Sequence, residues 1–436
     1  MKPGLMSFDD ALAALLAQAD GEAEALGVDN VDIVDASGRV LAQDVRATLD
    51  VPPMDNTQMD GYALRSADVA GATGSTPVRL PVAQRIPAGQ TPEPLAEGTA
   101  ARIFTGAAIP PGADAVVMQE QTRADGDSVL VMHAPQPGEW VRRRGEDIVA
   151  DSVILPAGTR LTPQAVGLAA SVGLPALPVR RRLRVACFFT GDELAKPGEP
   201  LKPGAIYDSN RYVLISLLRR FGCQVTDLGL VPDSLEATRE ALAAAADGND
   251  LIVTSGGMSV GEEDHMRPAV QAEGELTMWQ IAVKPGKPLA HGRVRRRERA
   301  SAAMLAAAAL GGVPLTVPPG DSGEAHFIGL PGNPVSAFVT FLLFVRPFLL
   351  RLQGVQQVLP RALPMVAGFD WPKPDRRREF LRVRVGEQGT LELFPNQGSA
   401  VLTSTVWGDG LVDNPPETAI RRGETVRYLP FPMLLS

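Results

Sequence analysis

Short hydrophobic runs alternate with helical patterns over residues 180–352. The runs that predict strands are LRVACFF (Leu183–Phe189), CQVTDLGLV, DLIVTS, LTMWQIAV and HFIGL, and each leads into a polar loop. Between them apolar residues recur at helical spacing, as at Tyr212, Ile215 and Leu218. Such alternation predicts a mostly parallel α/β sheet, in which ligands bind beyond the carboxyl ends of the strands.

The flanking segments follow other patterns, which predicts a multidomain chain of the α/β plus β class. Residues 49–144 are rich in Val, Pro and Gly without a long helical period, as in a β-rich domain. Residues 7–48 and 145–178 are expected to pack together as a helical connector. The α/β domain then covers residues 179–352, and runs such as FLRVRV and LELF predict a C-terminal β-barrel over residues 353–436.

Composition agrees with several globular domains and argues against nucleic acid as a partner. The chain has 436 residues, of which 45% are hydrophobic and 21% charged, so each domain has enough apolar residues for a core. A net charge of -8 has the wrong sign for binding a phosphate backbone. Four arginine triplets are interpreted as solvated strand edges or loops, although one or two could bind a small anion: Arg142–Arg144, Arg180–Arg182, Arg295–Arg297 and Arg376–Arg378.

The cysteines and the two most apolar segments indicate in which cellular compartment the protein is expected. Cys187 and Cys223 are the only cysteines and form no CxxC motif, which excludes a disulfide framework and a zinc cluster and favours the reducing cytoplasm. The uncharged segment Ala300–Gly320 contains prolines that would break a helix in lipid, so it is interpreted as an inserted loop. Residues 337–350 are too few for a membrane span and predict a buried helix, so no membrane association is expected.

Acidic residues follow several of the predicted strands. Glu193 lies in the loop TGDEL after the first strand, Asp233 follows the second, and Asp264 follows the third with its Gly-rich loop. Carboxylates at one edge of a sheet repel each other unless a cation such as Mg²⁺ binds between them, so the pattern predicts a metal site. The alternative is that each caps a helix, as the capping-box spacing of Asp233 and Glu236 suggests.

Glycines and lysines occupy the remaining loops at this edge. The loop after the third strand allows backbone N–H groups to approach a phosphate, or is a plain turn; its residues are Ser255, Gly256 and Gly257. Lys284 and Lys287 in KPGKP suit a compact oxyanion, or are solvated turn residues. PGNP, with Asn333, opens a long helix with Ser336 in its first turn. Cation and anion sites on one face predict chemistry on a phosphorylated substrate and a second anion.

A series of short sequence motifs, in a fixed order, extends this pattern over most of the chain. MDGYA, RIFTGAAIPPGADAVV, RRRGEDI, TGDEL, IYDSNRY, TSGGMSVGEED, KPGKP and LPGNPVSAF occur in this order from Met59 to Phe338. The series closely resembles the molybdopterin molybdenumtransferases, the MoeA family, which is related to the E domain of gephyrin. The resemblance runs from about residue 7 to the C-terminus.

The resemblance implies an architecture and an activity. Family members are homodimers of four-domain chains with the site between subunits. Their activity is insertion of molybdenum from molybdate into adenylylated molybdopterin, with Mg²⁺-dependent release of AMP. A molybdopterin adenylyltransferase is then a candidate partner.

The matching motifs also imply which residues of this chain belong to the site. From the second domain and the connector they imply Asp60, Thr105 and Asp147, and from the sheet Glu193, Asp233 and Asp264, the last three being the expected Mg²⁺ ligands. Lys284, Lys287 and Ser336 would hold molybdate, and Ser255, Gly256, Gly257 and Asn333 remain candidates for binding the cofactor. The C-terminal domain adds weaker candidates for the same anion: Arg377, Arg382 and Ser399.

Two departures and two rival functions accompany the resemblance. His265 stands where the family has Tyr or Phe, and it is interpreted either as a surface residue or as a helper base. The segment Ala300–Gly320 lengthens a loop, and it is interpreted either as an insertion or as a lid. One rival is a paralogue that binds the pterin without inserting metal, or acts at the adenylylation step. The other is a scaffold, as in gephyrin. The retained acidic residues favour catalysis, because a scaffold does not need them.

Overall fold

A computed structural model describes residues 5–258, 265–296 and 323–436. The chain divides into two compact units. The first contains residues 1–29, 38–42 and 179–436, and the second contains residues 30–37 and 43–178. The segment Ala300–Gly320 lies outside the described residues, so its interpretation as a loop or lid stays a prediction.

A six-stranded sheet forms the centre of the first unit. Its strands in chain order are β1 Arg184–Thr190, β2 Gln224–Val231, β3 Leu251–Ser255, β4 Gly274–Gln280, β5 Pro288–Arg295 and β6 Glu324–Leu330. The spatial order is β2-β1-β3-β6-β5-β4. The first four strands in this order are parallel, whereas β5 and β4 add an antiparallel edge, so the mostly parallel sheet is confirmed.

The hydrophobic pattern did not predict strand β5. Its sequence, PLAHGRVR, contains two arginines, a histidine and a glycine, so it lacks the apolar run that marks the other strands. Antiparallel pairing with both β4 and β6 nevertheless holds it in the sheet. Tertiary pairing therefore overrides the weak local signal.

Strand register brings the predicted loops to one edge of the sheet. Thr190 at the end of β1 pairs with Val231 at the end of β2, and Ser255 at the end of β3 pairs with Leu330 at the end of β6. Strand β5 runs the other way, so its first residue, Pro288, starts at the same edge. The loops TGDEL, VPD, SGG, KPGKP and PGNP therefore all lie there.

Helices cover both faces of this sheet. They are α1 Asn210–Arg220, α2 Leu235–Ala246, α3 Met266–Glu273 and the long helix α4 Pro334–Leu352, which has a π-type turn over Phe341–Val345. Within the described ranges α4 is the helix long and apolar enough to cross a membrane, but 89% of its apolar window is buried in the protein. The predicted buried helix is confirmed and is longer than expected.

A second sheet of the first unit comes from the C-terminal residues. Its strands are Leu363–Val366, Arg378–Val385, Leu391–Leu393, Gly410–Asn414 and Thr425–Pro430, followed by the helix Phe431–Leu434. The short strand Val283–Lys284 joins it by parallel pairing with Arg378–Val385. A bridge between Ala367 and Leu391 links its two ends. The N-terminal helix Phe8–Ala17 packs Phe8 against Phe344 and Phe380 of this unit.

The second unit contains a six-stranded, mainly antiparallel sheet. In spatial order its strands are Ala115–Met118, Gly61–Leu64, Ala100–Ile103, Val78–Ile86, Ser128–Val131 and Thr122–Asp125. Smaller pairs join Asn56–Thr57 with Val141–Arg142 and Val45–Arg46 with Val153–Leu155, and the helix Pro163–Ser171 follows. Buried Val, Ile, Leu and Ala side chains fill both faces of the large sheet.

Candidate active site

The loops at the carboxyl edge of the α/β sheet surround a cavity of about 820 Å³. Residues from the C-terminal sheet complete its wall. Most of the first-unit residues singled out from the sequence line it: Glu193, Asp233, Ser255, Gly256, Gly257, Lys284, Lys287, Asn333, Ser336, Arg377 and Ser399. One cavity thus brings together carboxylates, glycines and cationic side chains that are far apart in the chain.

The acidic side of the cavity is built by two loops that bind each other. The backbone N–H of Asp192 donates to the Asp233 carboxylate at 3.3 Å, and the N–H of Asp233 donates to the Asp192 carboxylate at 3.2 Å. Partial burial, together with the charges of Asp192 and Glu193, raises the pKa of Asp233, although the charge of His265 acts in the opposite direction. The carboxylates therefore repel one another, as predicted for a site that attracts cations.

The capping role predicted for Asp233 is wrong. Ser234 is the N-cap of α2, because its hydroxyl accepts a hydrogen bond from the backbone N–H of Ala237 at 3.2 Å. A serine in the N-cap position satisfies a helix N–H that would otherwise lack a partner. The carboxylate of Asp233 is thus not used by the helix and lines the cavity.

Only part of the predicted metal site lies within the described residues. Asp264, the third predicted ligand, lies outside the described residues. Over residues 5–258, 265–296 and 323–436, no group of three His, Cys, Asp or Glu side chains could hold a metal ion. Glu193 and Asp233 nevertheless supply oxygen donors of the kind that Mg²⁺ prefers, and a cation would offset the burial and the neighbouring negative charges that raise the pKa of Asp233. The donor chemistry therefore fits Mg²⁺.

Ser255 connects three loops of the cavity by hydrogen bonds. Its hydroxyl donates to the carbonyl of Pro331 and accepts from the Asn210 side-chain amide, both at 2.8 Å. The same amide donates to the carbonyl of Gly332 at 2.7 Å. Because the Ser255 side chain is buried and its hydroxyl is already bonded, we assign it to positioning the loops. Gly256 and Gly257, which are half-buried, continue this loop, and both have positive φ.

Gly256 is required by close packing as well as by its backbone conformation. Its φ is +102°, and a Cβ at this position would clash with the carbonyl oxygen of Thr190. Gly256→Ala is therefore expected to lower the free energy of unfolding by more than about 2 kcal/mol, measured by urea denaturation. Gly222→Ala is the matched control, because Gly222 also has positive φ but no atom within 4 Å. Equal losses in both variants would contradict the packing argument.

The cationic side of the cavity is largely neutralised by carboxylates. Lys284 Nζ lies 3.0 Å from the buried carboxylate of Glu379 and 3.5 Å from that of Asp375. Arg377 binds Asp375 through Nε and Nη2 at 3.0 and 2.9 Å. Hydrogen bonding from Arg377 and the charge of Lys284 lower the pKa of Asp375 well below its usual range. Two of the predicted oxyanion ligands are thus tied to carboxylates.

Lys287 differs from these two cations. Its side chain is exposed at the cavity, and it forms no ion pair with any described residue. Asn333 is the N-cap of α4, and its exposed side chain makes no capping bond. Ser336 is buried in the first turn, and the carbonyl of Ser399 accepts the N–H of Val335 at 3.0 Å. Lys287 is therefore the cation best placed to bind a free oxyanion.

Arg382 does not belong to the cavity wall. It is 1% exposed within the C-terminal sheet, where its guanidinium donates to the hydroxyl of Ser404 and the carbonyl of Gly398. Its backbone N–H donates to the side chain of Gln397, which lines the cavity. The prediction of direct anion binding is therefore corrected: Arg382 positions the loop that carries Ser399.

The remaining predicted residues belong to the second unit. The carboxylate of Asp60 accepts the backbone N–H of Thr105 at 2.8 Å and its hydroxyl at 2.7 Å. These two bonds lower the pKa of Asp60, with a further contribution from the charge of Arg102. Asp60 and Thr105 are thus hydrogen-bonded to each other, and their role in the site stays a prediction. Asp147 lies on an exposed loop of the same unit.

Several cavity residues were missed in the sequence. Asp208, Asn210, Gln397 and Thr190 line the cavity, and the first two lie in IYDSNRY, which entered only as part of the family resemblance. Nothing in the sequence indicates that Glu379 is buried, because a single acidic residue in an alternating strand usually faces solvent.

Comparisons with known proteins agree with this architecture. Family models match residues 6–173 as the MoeA N-terminal region (domain I and II), residues 186–351 as a probable molybdopterin binding domain, and residues 364–431 as the MoeA C-terminal region (domain IV). The "Molybdopterin molybdenumtransferase" of Haemophilus influenzae is 35% identical over 99% of this chain and 100% of its own length. "Molybdopterin molybdenumtransferase 2" of Mycobacterium tuberculosis is 36% identical over 89% of this chain and 91% of its own.

Solved structures lead to the same family. The crystal structure of the molybdopterin biosynthesis MoeA protein of Pyrococcus horikoshii OT3 superimposes with a TM-score of 0.79 at 29% identity, over 98% of this chain and 99% of that one. A second structure of the protein from this archaeon gives a TM-score of 0.75 at 30% identity with the same coverage. The match in sequence, domain order and fold over nearly the whole length therefore means that the chain belongs to the MoeA family of molybdopterin molybdenumtransferases.

Proposed function

We propose that the cavity at the carboxyl edge of the α/β sheet binds adenylylated molybdopterin and molybdate together, and that AMP is released as molybdenum enters the cofactor. The chain is a transferase of molybdenum cofactor biosynthesis that inserts molybdenum into molybdopterin. One observation carries the finer proposal: carboxylates (Glu193, Asp233) and an ammonium group that no described residue pairs (Lys287) line the same cavity. A metal-bound phosphate and a free oxyanion require these two kinds of group.

The two sides of the cavity then have different tasks. Glu193 and Asp233, with Asp264, would hold Mg²⁺, which when bound neutralises the phosphates of the adenylylated substrate. Gly256 and Gly257 leave room for the substrate close to the backbone. Lys287 binds molybdate, while Lys284 and Arg377 are held in place by Glu379 and Asp375 and supply N–H donors with little net charge.

The rest of the proposal extends beyond one cavity. We propose a homodimer in which Asp60, Thr105 and Asp147 of one subunit complete the site of the other. Each chain would have four domains with the boundaries predicted above, the last of them a C-terminal β-barrel. A molybdopterin adenylyltransferase would supply the substrate. A cytoplasmic location is supported by Cys187 and Cys223, which are both free and buried.

The test is AMP release by the purified protein given adenylylated molybdopterin and Mg²⁺, with and without molybdate. Active cofactor is followed in parallel by reconstitution of an apo-molybdoenzyme. Molybdate-dependent AMP release with active cofactor, abolished by a chelator and restored by Mg²⁺, is the expected result. Tight pterin binding without turnover would instead favour the non-inserting paralogue or the scaffold.

A further inference from the structure

Asp208 carries a buried carboxylate oxygen that no described residue satisfies. The residue is 3% exposed and precedes α1. Its Oδ1 accepts the backbone N–H of Arg211 at 3.1 Å, and its own N–H donates to the carbonyl of Ala195 at 3.0 Å. Oδ2 has no hydrogen-bond partner among residues 5–258, 265–296 and 323–436. A buried polar atom without a partner is costly and needs an explanation.

The residue that carries the unsatisfied oxygen lines the cavity. Asp208 lines it beside Asn210 and Ser255. The side chains of these neighbours bond to each other and to carbonyl groups of the PGNP loop and not to Asp208. The backbone N–H of Asn210 does act on the Asp208 carboxyl and lowers its pKa, against the larger effect of burial. The hydroxyl of Thr190, a buried residue that lines the same cavity, also lacks a partner among the described residues. Two buried polar groups without a described partner thus belong to residues of this cavity, as expected where a polar ligand binds.

The chemistry of Asp208 restricts what that ligand is. An ionised carboxylate only accepts hydrogen bonds, and it repels phosphate and molybdate. It pairs best with two adjacent N–H donors, as it does with the guanidinium of arginine. The 2-amino-4-oxopyrimidine edge of a pterin has such adjacent donors, whereas adenine presents its amino group beside an acceptor nitrogen. Burial also raises the pKa of Asp208, a cost that a paired ligand would offset.

We infer that Asp208 is a specificity-determining residue that recognises the amino-pyrimidinone edge of the pterin. This inference rests on the proposed function, since it takes molybdopterin as the substrate. It places the pterin ring near the start of α1, where Asn210 and Ser255 fix the adjoining loops. The acidic loops that carry Glu193 and Asp233 are then left for the phosphate end of the substrate.

A purely structural role for Asp208 makes a different prediction. Its bond to the N–H of Arg211 stabilises the start of α1, and asparagine would keep that bond because it retains one oxygen. Asparagine replaces the second oxygen by an amide that donates hydrogen bonds, so it removes only the feature assigned to the ligand. Asp208→Asn therefore separates pterin recognition from support of the helix.

The experiment measures binding to full-length protein by fluorescence titration, with molybdopterin, adenylylated molybdopterin and AMP as separate ligands. Asp208→Asn is expected to weaken binding of both pterin ligands about 10- to 100-fold, and to change AMP binding less than about twofold. Its thermal midpoint should not fall, since a buried charge is removed. Glu236→Gln, an exposed carboxylate-to-amide change at the start of α2, should bind all three ligands like the wild type.

The outcomes distinguish the inference from the proposed function. Wild-type protein that binds none of the pterin ligands would overturn the proposed function itself. Wild-type binding that Asp208→Asn leaves unchanged would overturn the inference alone. A lower thermal midpoint with equal loss of pterin and AMP binding would assign Asp208 to the helix. If Asp208→Asn does not fold, Asp208→Ser provides the same comparison, because serine keeps an acceptor at the helix start but has no second oxygen.

Discussion

Replacing Glu193 by alanine should reduce molybdate-dependent AMP release by at least about 100-fold, the size expected when a group that stabilises charge in the transition state is lost. Glu193 is exposed at the cavity, and its carboxylate makes no hydrogen bond or ion pair with a described residue. The fold does not depend on it, so the free energy of unfolding should stay within about 0.5 kcal/mol of the wild type. Single-turnover AMP release and urea denaturation measure the two quantities.

Glu199→Ala is the matched control for this variant. Glu199 is an exposed residue six positions further along, outside the cavity. Among the described residues its carboxylate accepts only the backbone N–H of Lys196 at 3.3 Å, and the bond from the Tyr207 hydroxyl goes to its backbone carbonyl, which alanine keeps. Its replacement should leave AMP release unchanged. A normal rate in Glu193→Ala would remove this carboxylate from the mechanism, whereas a loss in both variants would point to the loop rather than to the side chain.

Glu379→Ala should cause the largest loss of stability, about 3 to 5 kcal/mol in the free energy of unfolding. The carboxylate is fully buried and accepts hydrogen bonds from Lys284 at 3.0 Å, from the indole of Trp371 at 2.8 Å and from the backbone N–H of Asp375 at 3.1 Å. Alanine would leave these three donors, and the side-chain amide of Asn414 at 3.5 Å, without this partner. Urea denaturation of the full chain gives the measurement.

Two further variants distinguish the effect of the buried position of Glu379 on stability from the effect of its charge. Glu379→Gln keeps most of the hydrogen-bonding capacity and should cost roughly 1 to 3 kcal/mol, because the charged bond to Lys284 is lost. Glu392→Gln in the same sheet breaks an exposed pair with Arg384 and should cost less than about 1 kcal/mol. A loss in Glu379→Ala no larger than that in Glu392→Gln would contradict the role of the buried carboxylate.

The features that could be predicted from the sequence depend on local pattern. Strands β1, β3 and β6 are continuous apolar runs, and parallel register brings their following loops to one edge of the sheet. Glu193, in the loop after β1, could therefore be assigned to this edge from the sequence, and so could Asp233, in the loop after the neighbouring strand β2. The order of the words in the chain was enough to identify the family.

The features that escaped prediction depend on contacts between distant residues. Lys284 meets a carboxylate 95 residues away, and nothing in KPGKP indicates that its charge is neutralised. Arg382 has the charge expected of an anion ligand, and only the packing of the C-terminal sheet shows that it is buried. Asp208 could be recognised as a helix-start residue but not as a cavity residue, because its unsatisfied oxygen depends on what Asn210 and Ser255 already bind.

The short strand Val283–Lys284 has a consequence for the modularity of the chain. It belongs in sequence to the α/β domain, yet it pairs with Arg378 and Glu379 of the C-terminal sheet. Recombination at the boundary near residue 353 would separate Lys284 from the strand and the carboxylate that hold it. A chimera with a C-terminal domain from a relative must therefore carry over residues 281–288 as well, and the two segments are expected to evolve as one unit.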